Sequence, residues 1–155
     1  MNQNVNISLV YKKLANLEEH IMAIEHILLP EMKINKSLAR KLEKARKEMR
    51  KGEYLGLSEL KWADFMPFLV YINKKAAKYL DEIDQKIKER IKEAMKFLQT
   101  NPVPIEKYDV IKLEGKEHTY RIRIGKYRII YDVLWNEKTI WVLIVDRRGD
   151  ETYKF

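Results

Sequence analysis

A stretch of alternating residues around Gly125-Lys126 constrains the fold more than any other part of the sequence. Residues 119–131 read TYRIRIGKYRIIY, so apolar and polar residues alternate on both sides of the glycine. Alternation with a period of two is typical of a half-buried β-strand, and a two-residue turn containing glycine joins antiparallel neighbours. The pattern therefore predicts a β-hairpin in which Ile124 pairs with Tyr127 and Arg123 pairs with Arg128.

The predicted hairpin has one apolar face and one basic face. The apolar face carries six residues: Tyr120, Ile122, Ile124, Tyr127, Ile129 and Tyr131. The basic face carries Arg121, Arg123 and Arg128. Opposed like charges cost only about 0.2–1 kcal/mol when solvated, and convergent guanidinium groups suit a phosphate. The alternative interpretation is that Asp132 or Asp146 neutralises these arginines.

The remainder of residues 66–155 predicts an α+β domain. A β-prone run at 67–72 precedes a helical pattern that runs from Ala76 to Leu98, and Asp84 is placed to cap a second helix within it. Four further segments alternate as strands do: Val110–Glu114, Thr119–Ile124, Tyr127–Trp135 and Thr139–Val145. The turns between the later strands are too short for parallel neighbours. We therefore expect a curved antiparallel β-sheet with a helical hairpin packed on one face.

Residues 1–65 have a different pattern and predict an extended helical segment. Apolar residues recur at steps of three and four over about 5–29, as in a heptad seam: Ile7, Val10, Leu14, Leu17, Ile21, Ile24 and Leu28. Pro30 ends this helix. The narrow seam suits either pairing with another helix, as in a dimer of two copies, or packing on its own domain.

A second helix is predicted over about 37–51, with Ser37 as N-cap. Its apolar stripe consists of Leu38, Leu42, Ala45 and Met49. The tail at 54–65 contributes five candidate docking residues: Leu55, Leu57, Leu60, Trp62 and Phe65. These apolar residues are too few to form a core of their own, so we expect the segment to fold against another surface.

Composition narrows the classes of function. The chain lacks cysteine, which excludes disulfides, thiol catalysis and cysteine-ligated metal, and His20, His26 and His118 lack metal-ligand spacing. We therefore expect no metal and no cofactor. The absence of a long apolar run and of a basic signal region predicts a cytoplasmic protein with no membrane partner. A net charge of +8 favours a polyanion such as nucleic acid, although a solvated lysine-rich surface is the alternative.

Residues 66–155 resemble toxins of the RelE family. The resemblance rests on MPFLVYI at 66–72, YDVIKLEG at 108–115, YRIRIGKYRIIY at 120–131 and RRG at 147–149. ParE-type toxins, which act on gyrase, share this fold. Residues 1–65 are similar in layout to a RelB-like antitoxin, a helix-rich chain that wraps its toxin. The resemblance thus divides the chain at Met66 into an antitoxin-like and a toxin-like half.

This resemblance implies a ribosome-dependent endoribonuclease that cuts mRNA without a metal, by attack of the RNA 2′-hydroxyl on the adjacent phosphate. The implied catalytic residues are Arg121, Arg123, Arg128, Arg147 or Arg148, and Tyr153; Lys112 and Lys126 are the implied RNA-binding residues. Many family members have lysines where Arg121 and Arg123 stand. Because arginine stays protonated, neither can be the general base, whereas Tyr153 could be if the arginines lower its pKa.

The resemblance also implies a partner for each half. The antitoxin-like half would hold the toxin-like half inactive, either in the same chain or in a neighbouring one. Helix 36–51 would displace a toxin element or block ribosome entry, by bulk rather than by neutralising the arginines. Operator DNA is a possible further partner. Two alternatives to the ribonuclease stay open: a ParE-like inhibitor of gyrase that acts by protein contact, and a non-catalytic nucleic-acid-binding module.

Overall fold

The computed structural model describes residues 6–56 and 68–149, apart from the side chains of residues 22, 25 and 26. Its helices are α1 (Ile7–Leu28), α2 (Lys36–Arg50), α3 (Lys74–Glu82) and α4 (Gln85–Leu98). Its strands are β1 (Glu31–Met32), β2 (Tyr54–Gly56), β3 (Leu69–Asn73), β4 (Asp109–Leu113), β5 (Thr119–Ile124), β6 (Tyr127–Leu134) and β7 (Thr139–Arg147).

The strands of the described residues form one sheet in the order β1-β4-β5-β6-β7-β3-β2. Strands β4 to β7 are consecutive antiparallel neighbours, and α3 and α4 form the predicted helical hairpin, so the α+β fold class is confirmed. Two pairs are parallel, β3 with β7 and β1 with β4. The parallel pair β3–β7 is possible because a long connection that includes α3 and α4 separates these strands in the sequence.

The register predicted for the central hairpin is confirmed. Ile124 pairs with Tyr127, Arg123 with Arg128, and Arg121 with Ile130. Gly125 has a φ of 59°, a backbone conformation that glycine adopts without steric cost. The two-residue turn therefore fixes which side chains share a face of the sheet.

The apolar face of the hairpin packs against α3 and α4 and forms the main core. Fully buried members of this core include Phe68, Ile91, Leu98, Tyr120, Ile129 and Tyr131. The hydroxyl of Tyr131 donates a hydrogen bond to the Pro102 carbonyl oxygen at 2.8 Å, so this buried polar group is satisfied. Asp84 caps α4 as predicted, because its side chain accepts a hydrogen bond from the Lys86 amide at 3.0 Å.

The opposite face of the sheet is covered in part by α2. Leu38, Leu42, Ala45 and Met49 are buried, and they pack against Leu113, Ile130 and Leu143. The predicted N-cap at Ser37 is wrong, because the cap is Asn35, whose side-chain oxygen accepts from the Leu38 amide at 2.8 Å. Asparagine is one of the residue types preferred at this position, and the helix consequently begins at Lys36.

Residues 29–56, hereafter the wrapping segment, reach both edges of the sheet. β1 pairs with β4 and β2 pairs with β3, while α2 crosses the face between them. β4 and β3 are the two outer strands of the five that residues 68–149 contribute. At the β4 edge, the amide of Lys112 donates to the Pro30 carbonyl at 3.0 Å and that of Glu114 to the Met32 carbonyl at 2.8 Å.

Helix α1 extends from the wrapping segment with its apolar seam exposed. The seven seam residues predicted from the heptad pattern are between 41% and 77% exposed. An ion pair between Glu19 and Lys138, 3.8 Å apart, connects α1 to the loop before β7. Packing of the seam on its own domain is therefore not observed in this chain. None of the helices described combines the length and the apolar character needed to cross a membrane.

Candidate functional site

A small cleft lies at the turn end of the central hairpin, on the basic face of the sheet. Six residues line it, and four of them are arginines. The lining residues are Arg121, Arg123, Gly125, Tyr127, Arg128 and Arg148. The cleft volume is about 20 Å³, which is room for roughly one water molecule. The backbone amide of Arg148 donates to the Lys126 carbonyl at 2.7 Å, so this residue is held beside the turn. The hairpin register and this bond together place the arginines around one point.

The central arginine of the cleft has a carboxylate partner. Arg128 Nε lies 2.5 Å from Asp146 Oδ1, and Nη2 lies 2.9 Å from Oδ2, which is a bidentate pair. The Arg128 side chain is 9% exposed and that of Asp146 is 26% exposed. Of the two acids considered from the sequence, Asp146 thus neutralises Arg128, whereas Asp132 pairs with Arg46 of α2. The Asp146 contact offsets the charge of Arg128 next to Arg123.

The two arginines of β5 have different surroundings. Arg121 Nη2 lies 3.4 Å from Asp109 Oδ2, and Arg121 Nη1 lies 3.5 Å from the sulfur of Met32 in β1. Arg123 is exposed, and its Nε donates to the Gly125 carbonyl at 3.3 Å. One arginine is thus covered by the wrapping segment, while the other reaches solvent at the cleft. Because guanidinium groups stay protonated, this arrangement is chemically suited to an anion and does not supply a base.

The structure brings together some of the predicted site residues and separates others. Arg148 lines the cleft, whereas Arg147 lies opposite Tyr127 in the sheet and is absent from the cleft lining. Lys126 lies in the turn beside the cleft. Lys112 in β4 pairs with Glu31 of β1 at 3.3 Å. It lies opposite Tyr120 in the sheet, on the apolar face. Lys112 is therefore remote from the arginine face.

Several predicted residues fall outside the described part of the chain. Tyr153 and four of the docking residues belong to this group: Leu57, Leu60, Trp62 and Phe65. The fifth docking residue, Leu55, lies in β2 and is 50% exposed. His118 is about half exposed and lines a separate cavity of about 430 Å³, together with Asp132 and Trp141.

Sequence reasoning missed Tyr127, which lines the cleft, and Asp109, which pairs with Arg121. The signal for Tyr127 was its position directly after the turn. Its side chain packs against the main core, on the apolar face as predicted, while the residue itself borders the cleft.

Sequence reasoning also missed the residues that hold the wrapping segment on the sheet. Leu29 is only 9% exposed and joins the main core, and Arg46 bonds both Asp132 and Thr119. Burial opposes the charged form of Arg46, but the hydrogen bonds and the charge of Asp132, with a smaller contribution from Glu43, raise its pKa above the usual value. The cation is therefore fixed at this interface.

Comparison with known proteins finds relatives of the C-terminal part of the chain. Residues 70–151, more than half of the chain, match the family model described as ParE toxin of type II toxin-antitoxin system, parDE. The RelE1 protein of Methanocaldococcus jannaschii, which is named as a toxin, is 40% identical over 83 residues, covering 54% of this chain and 92% of that protein.

A solved structure is also similar. The match lies in the crystal structure of the archaeal RelE-RelB complex from Pyrococcus horikoshii, with 41% identity, a TM-score of 0.51, and coverage of 55% of this chain and 99% of the matched chain. The solved structure agrees with the α+β fold of the C-terminal part. The chain therefore belongs to the RelE/ParE family of toxins of type II toxin–antitoxin systems, and its C-terminal part is the RelE-like toxin.

Proposed function

We propose that residues 66–155 are a metal-independent endoribonuclease that cuts mRNA on the ribosome. The observation that carries this proposal is the cleft with four guanidinium groups at the end of a rigid hairpin. Attack of a 2′-hydroxyl on the adjacent phosphate adds negative charge to the phosphoryl oxygens. Preorganised cations aimed at that charge stabilise the transition state. Arg121, Arg123 and Arg148 would make these contacts, while Arg128, held by Asp146, would order the cleft.

Proton transfer needs groups other than arginine. A general base must accept the 2′ proton and a general acid must protonate the leaving 5′ oxygen. Tyr127 also lines the cleft, but its side chain packs against the main core on the other face of the sheet, so we do not assign the acid role to it. Tyr153 stays our candidate for the base, and Lys126 would contact the RNA backbone beside the turn.

We further propose that residues 1–65 act as the antitoxin-like half and inhibit residues 66–155 in this joined chain. Three contacts support this role: β1 and β2 extend the sheet at both edges, and α2 covers the basic face. Met32 reaches Arg121 directly. None of these contacts neutralises the cleft by charge, so inhibition would come from the bulk of the wrapping segment, which would prevent the sheet from entering the ribosome.

Two further partners belong to the proposal. The exposed seam of α1 would pair two copies of the chain, because apolar seams of this kind are normally buried in a coiled coil. Such a dimer, with the basic outer face of α2, would suit operator DNA. Action on ribosomes would also place the protein in the cytoplasm.

The test of the nuclease proposal is translation arrest with mapped mRNA ends. Residues 66–155 and the full chain would be expressed separately, and primer extension would locate cuts in translated mRNA. We expect arrest and cuts that depend on ribosomes from residues 66–155, and neither from the full chain. The double variant Arg123→Ala with Arg148→Ala should abolish cutting, whereas Arg90→Ala, an exposed arginine on α4, should leave cutting unchanged.

A ParE-like action is the second candidate, because the matching family model is described as ParE toxin. This candidate predicts DNA breaks with intact mRNA in the same cells. If the chain bound mRNA or operator DNA with an affinity that falls steeply with salt, and cleaved neither nucleic acid, the non-catalytic module would be favoured instead. The two archaeal RelE proteins that align with this chain at 40–41% identity are the reason for preferring mRNA cleavage.

A further inference from the structure

Two charged contacts of opposite sign hold α2 on the sheet. They involve Arg46 and Glu48, which are two residues apart on α2 and lie on either side of its apolar stripe. Each contacts residues of the C-terminal part: Arg46 bonds Asp132 and Thr119, and Glu48 bonds Asn73 and Lys75. The helix thus presents one cation and one anion to partners of complementary charge.

The Arg46 contact is buried and geometrically complete. Arg46 Nε lies 2.6 Å from Asp132 Oδ2, and Nη2 lies 3.0 Å from Oδ1. The same Nη2 lies 2.9 Å from the Thr119 hydroxyl, which donates to Asp132 Oδ1 at 2.6 Å. The Arg46 and Asp132 side chains are 9% and 10% exposed. Any helix that lacked the guanidinium would leave a carboxylate buried without its counter-charge.

The Glu48 contact is of opposite sign and lies at the start of α3. Asn73 is 2% exposed, and its amide nitrogen donates to Glu48 Oε2 at 3.0 Å while its oxygen caps the Lys75 amide. The Lys75 ammonium group pairs with the other carboxylate oxygen of Glu48. The hydrogen bond from Lys75 lowers the pKa of Glu48 most, and the hydrogen bond from Asn73 and the charge of Lys75 lower it further. A helix without this carboxylate would leave the buried Asn73 amide without its acceptor.

Such contacts contribute to selectivity more than to net affinity. A buried ion pair often stabilises no more than apolar residues of the same size would, but removal of one partner is strongly destabilising because the other charge stays buried without compensation. Proteins commonly use this cost of an unpaired buried charge to discriminate between partners. The apolar contacts of Leu38, Leu42 and Met49 would accept almost any amphipathic helix. The charged contacts would reject the helices that do not match.

We propose that the sheet face around Asp132 and Asn73 is a selectivity surface that accepts an amphipathic helix carrying arginine at the position of Arg46 and a carboxylate two residues later. The occupant is α2 of this chain. The inference rests on the proposed antitoxin-like role of the wrapping segment, and it adds to that role the means by which the toxin part distinguishes its own helix from others.

The test uses the full chain with Arg46→Glu, which places a second carboxylate beside Asp132. Hydrogen exchange should show α2 amides losing protection at least tenfold, while β6 amides keep theirs. Two labelled peptides spanning residues 33–52 would then be added separately, one with the wild-type sequence and one with Arg46→Glu. We expect the variant chain to bind the wild-type peptide at least ten times more tightly, and the wild-type chain to bind neither peptide.

Each other outcome overturns the proposal. Equal affinity for the two peptides would show that the face does not select by charge, and failure to bind either would show that it does not accept a helix in trans. Retained protection of α2 would show that Arg46 does not hold it. If β6 also loses protection, the same comparison is made with Arg46→Gln, and the same outcomes decide. The readouts involve no RNA, so a chain without nuclease activity could still satisfy them.

Discussion

The contact between Arg128 and Asp146 explains how a hairpin tolerates two arginines opposite each other. Arg123 is exposed, so water solvates its charge, whereas Arg128 is mostly buried and needs a carboxylate partner. That partner comes from β7, at the register position directly opposite Arg128. The carboxylate offsets one of the two opposed charges and fixes the orientation of the guanidinium. The like-charge pair therefore depends on a third strand that the hairpin sequence does not contain.

Asp146→Ala should lower the free energy of unfolding of the full chain by roughly 3 kcal/mol, because it leaves the buried Arg128 guanidinium without its carboxylate. Urea unfolding followed by circular dichroism measures the change. The matched control is Asp81→Ala, since Asp81 is 74% exposed and pairs with Lys88 at the surface. The control should change the free energy of unfolding much less, because an exposed ion pair is screened by solvent. Equal losses in the two variants would refute a special role for the Arg128 pair.

Glu48 gives the interface a defined dependence on pH. Its folded pKa lies below the ordinary value of 4.5, so its ionised form stabilises the fold above that pH. The contribution is lost as pH falls from about 4.5 through the lower, folded pKa. We therefore expect Glu48→Gln to reduce stability at pH 7, and the difference from wild type to shrink at pH 3. The exposed Glu106, replaced by Gln, serves as the control. A Glu48→Gln difference that grows on acidification would contradict this reading.

At the scale of elements, α2 is held chiefly by its apolar stripe, and the charged contacts lie at its flanks. Leu42 is fully buried between α2 and the sheet. Leu42→Ala should cost about 2–5 kcal/mol in the free energy of unfolding, since it removes buried methyl groups and leaves a cavity. Leu69→Ala is the matched control, because Leu69 is 58% exposed in β3. Thermal or urea unfolding that shows similar losses for both variants would disprove the packing of α2 described above.

The elements differ in how far the sequence could predict them. The central hairpin was predictable to the register because one face is buried, and a slip by one residue would bury the arginines. The stripe of α2 was predictable for the same reason. β1 and β2 were not, because strands of two and three residues carry no periodic signal and exist through their pairing with β4 and β3.

The candidate site was predictable only in part. Alternation placed Arg121, Arg123 and Arg128 on one face, but it could not choose between Arg147 and Arg148. That choice depends on the backbone bond from Arg148 to Lys126 beyond the end of β7. The role of Arg46 was also hidden, since a basic residue on a basic helix looks like surface until its partner Asp132, 86 residues away, is known.

At the scale of the whole molecule, α1 gives a prediction about assembly. Leu17 lies on the exposed heptad seam, and Leu9 is almost equally exposed, at 52% against 55%, but lies off the seam. If the seam joins two copies, Leu17→Glu should convert dimers into monomers by placing charge in the coiled-coil interface. Leu9→Glu should leave dimers intact. Sedimentation at several protein concentrations measures the difference, and equal behaviour of the two variants would exclude the seam as the interface.

The position of the wrapping segment on both sheet edges has a consequence for the link between the two parts of the chain. β1, α2 and β2 each make their own contacts with the sheet, so the peptide connection through residues 57–67 adds only a high effective concentration. A cut in that connection would make reassociation of the two parts bimolecular, so the bound fraction would fall on dilution, but it would break none of the strand pairs. Release would then require separation of both edge strands and loss of the buried contacts of Arg46 and Leu42.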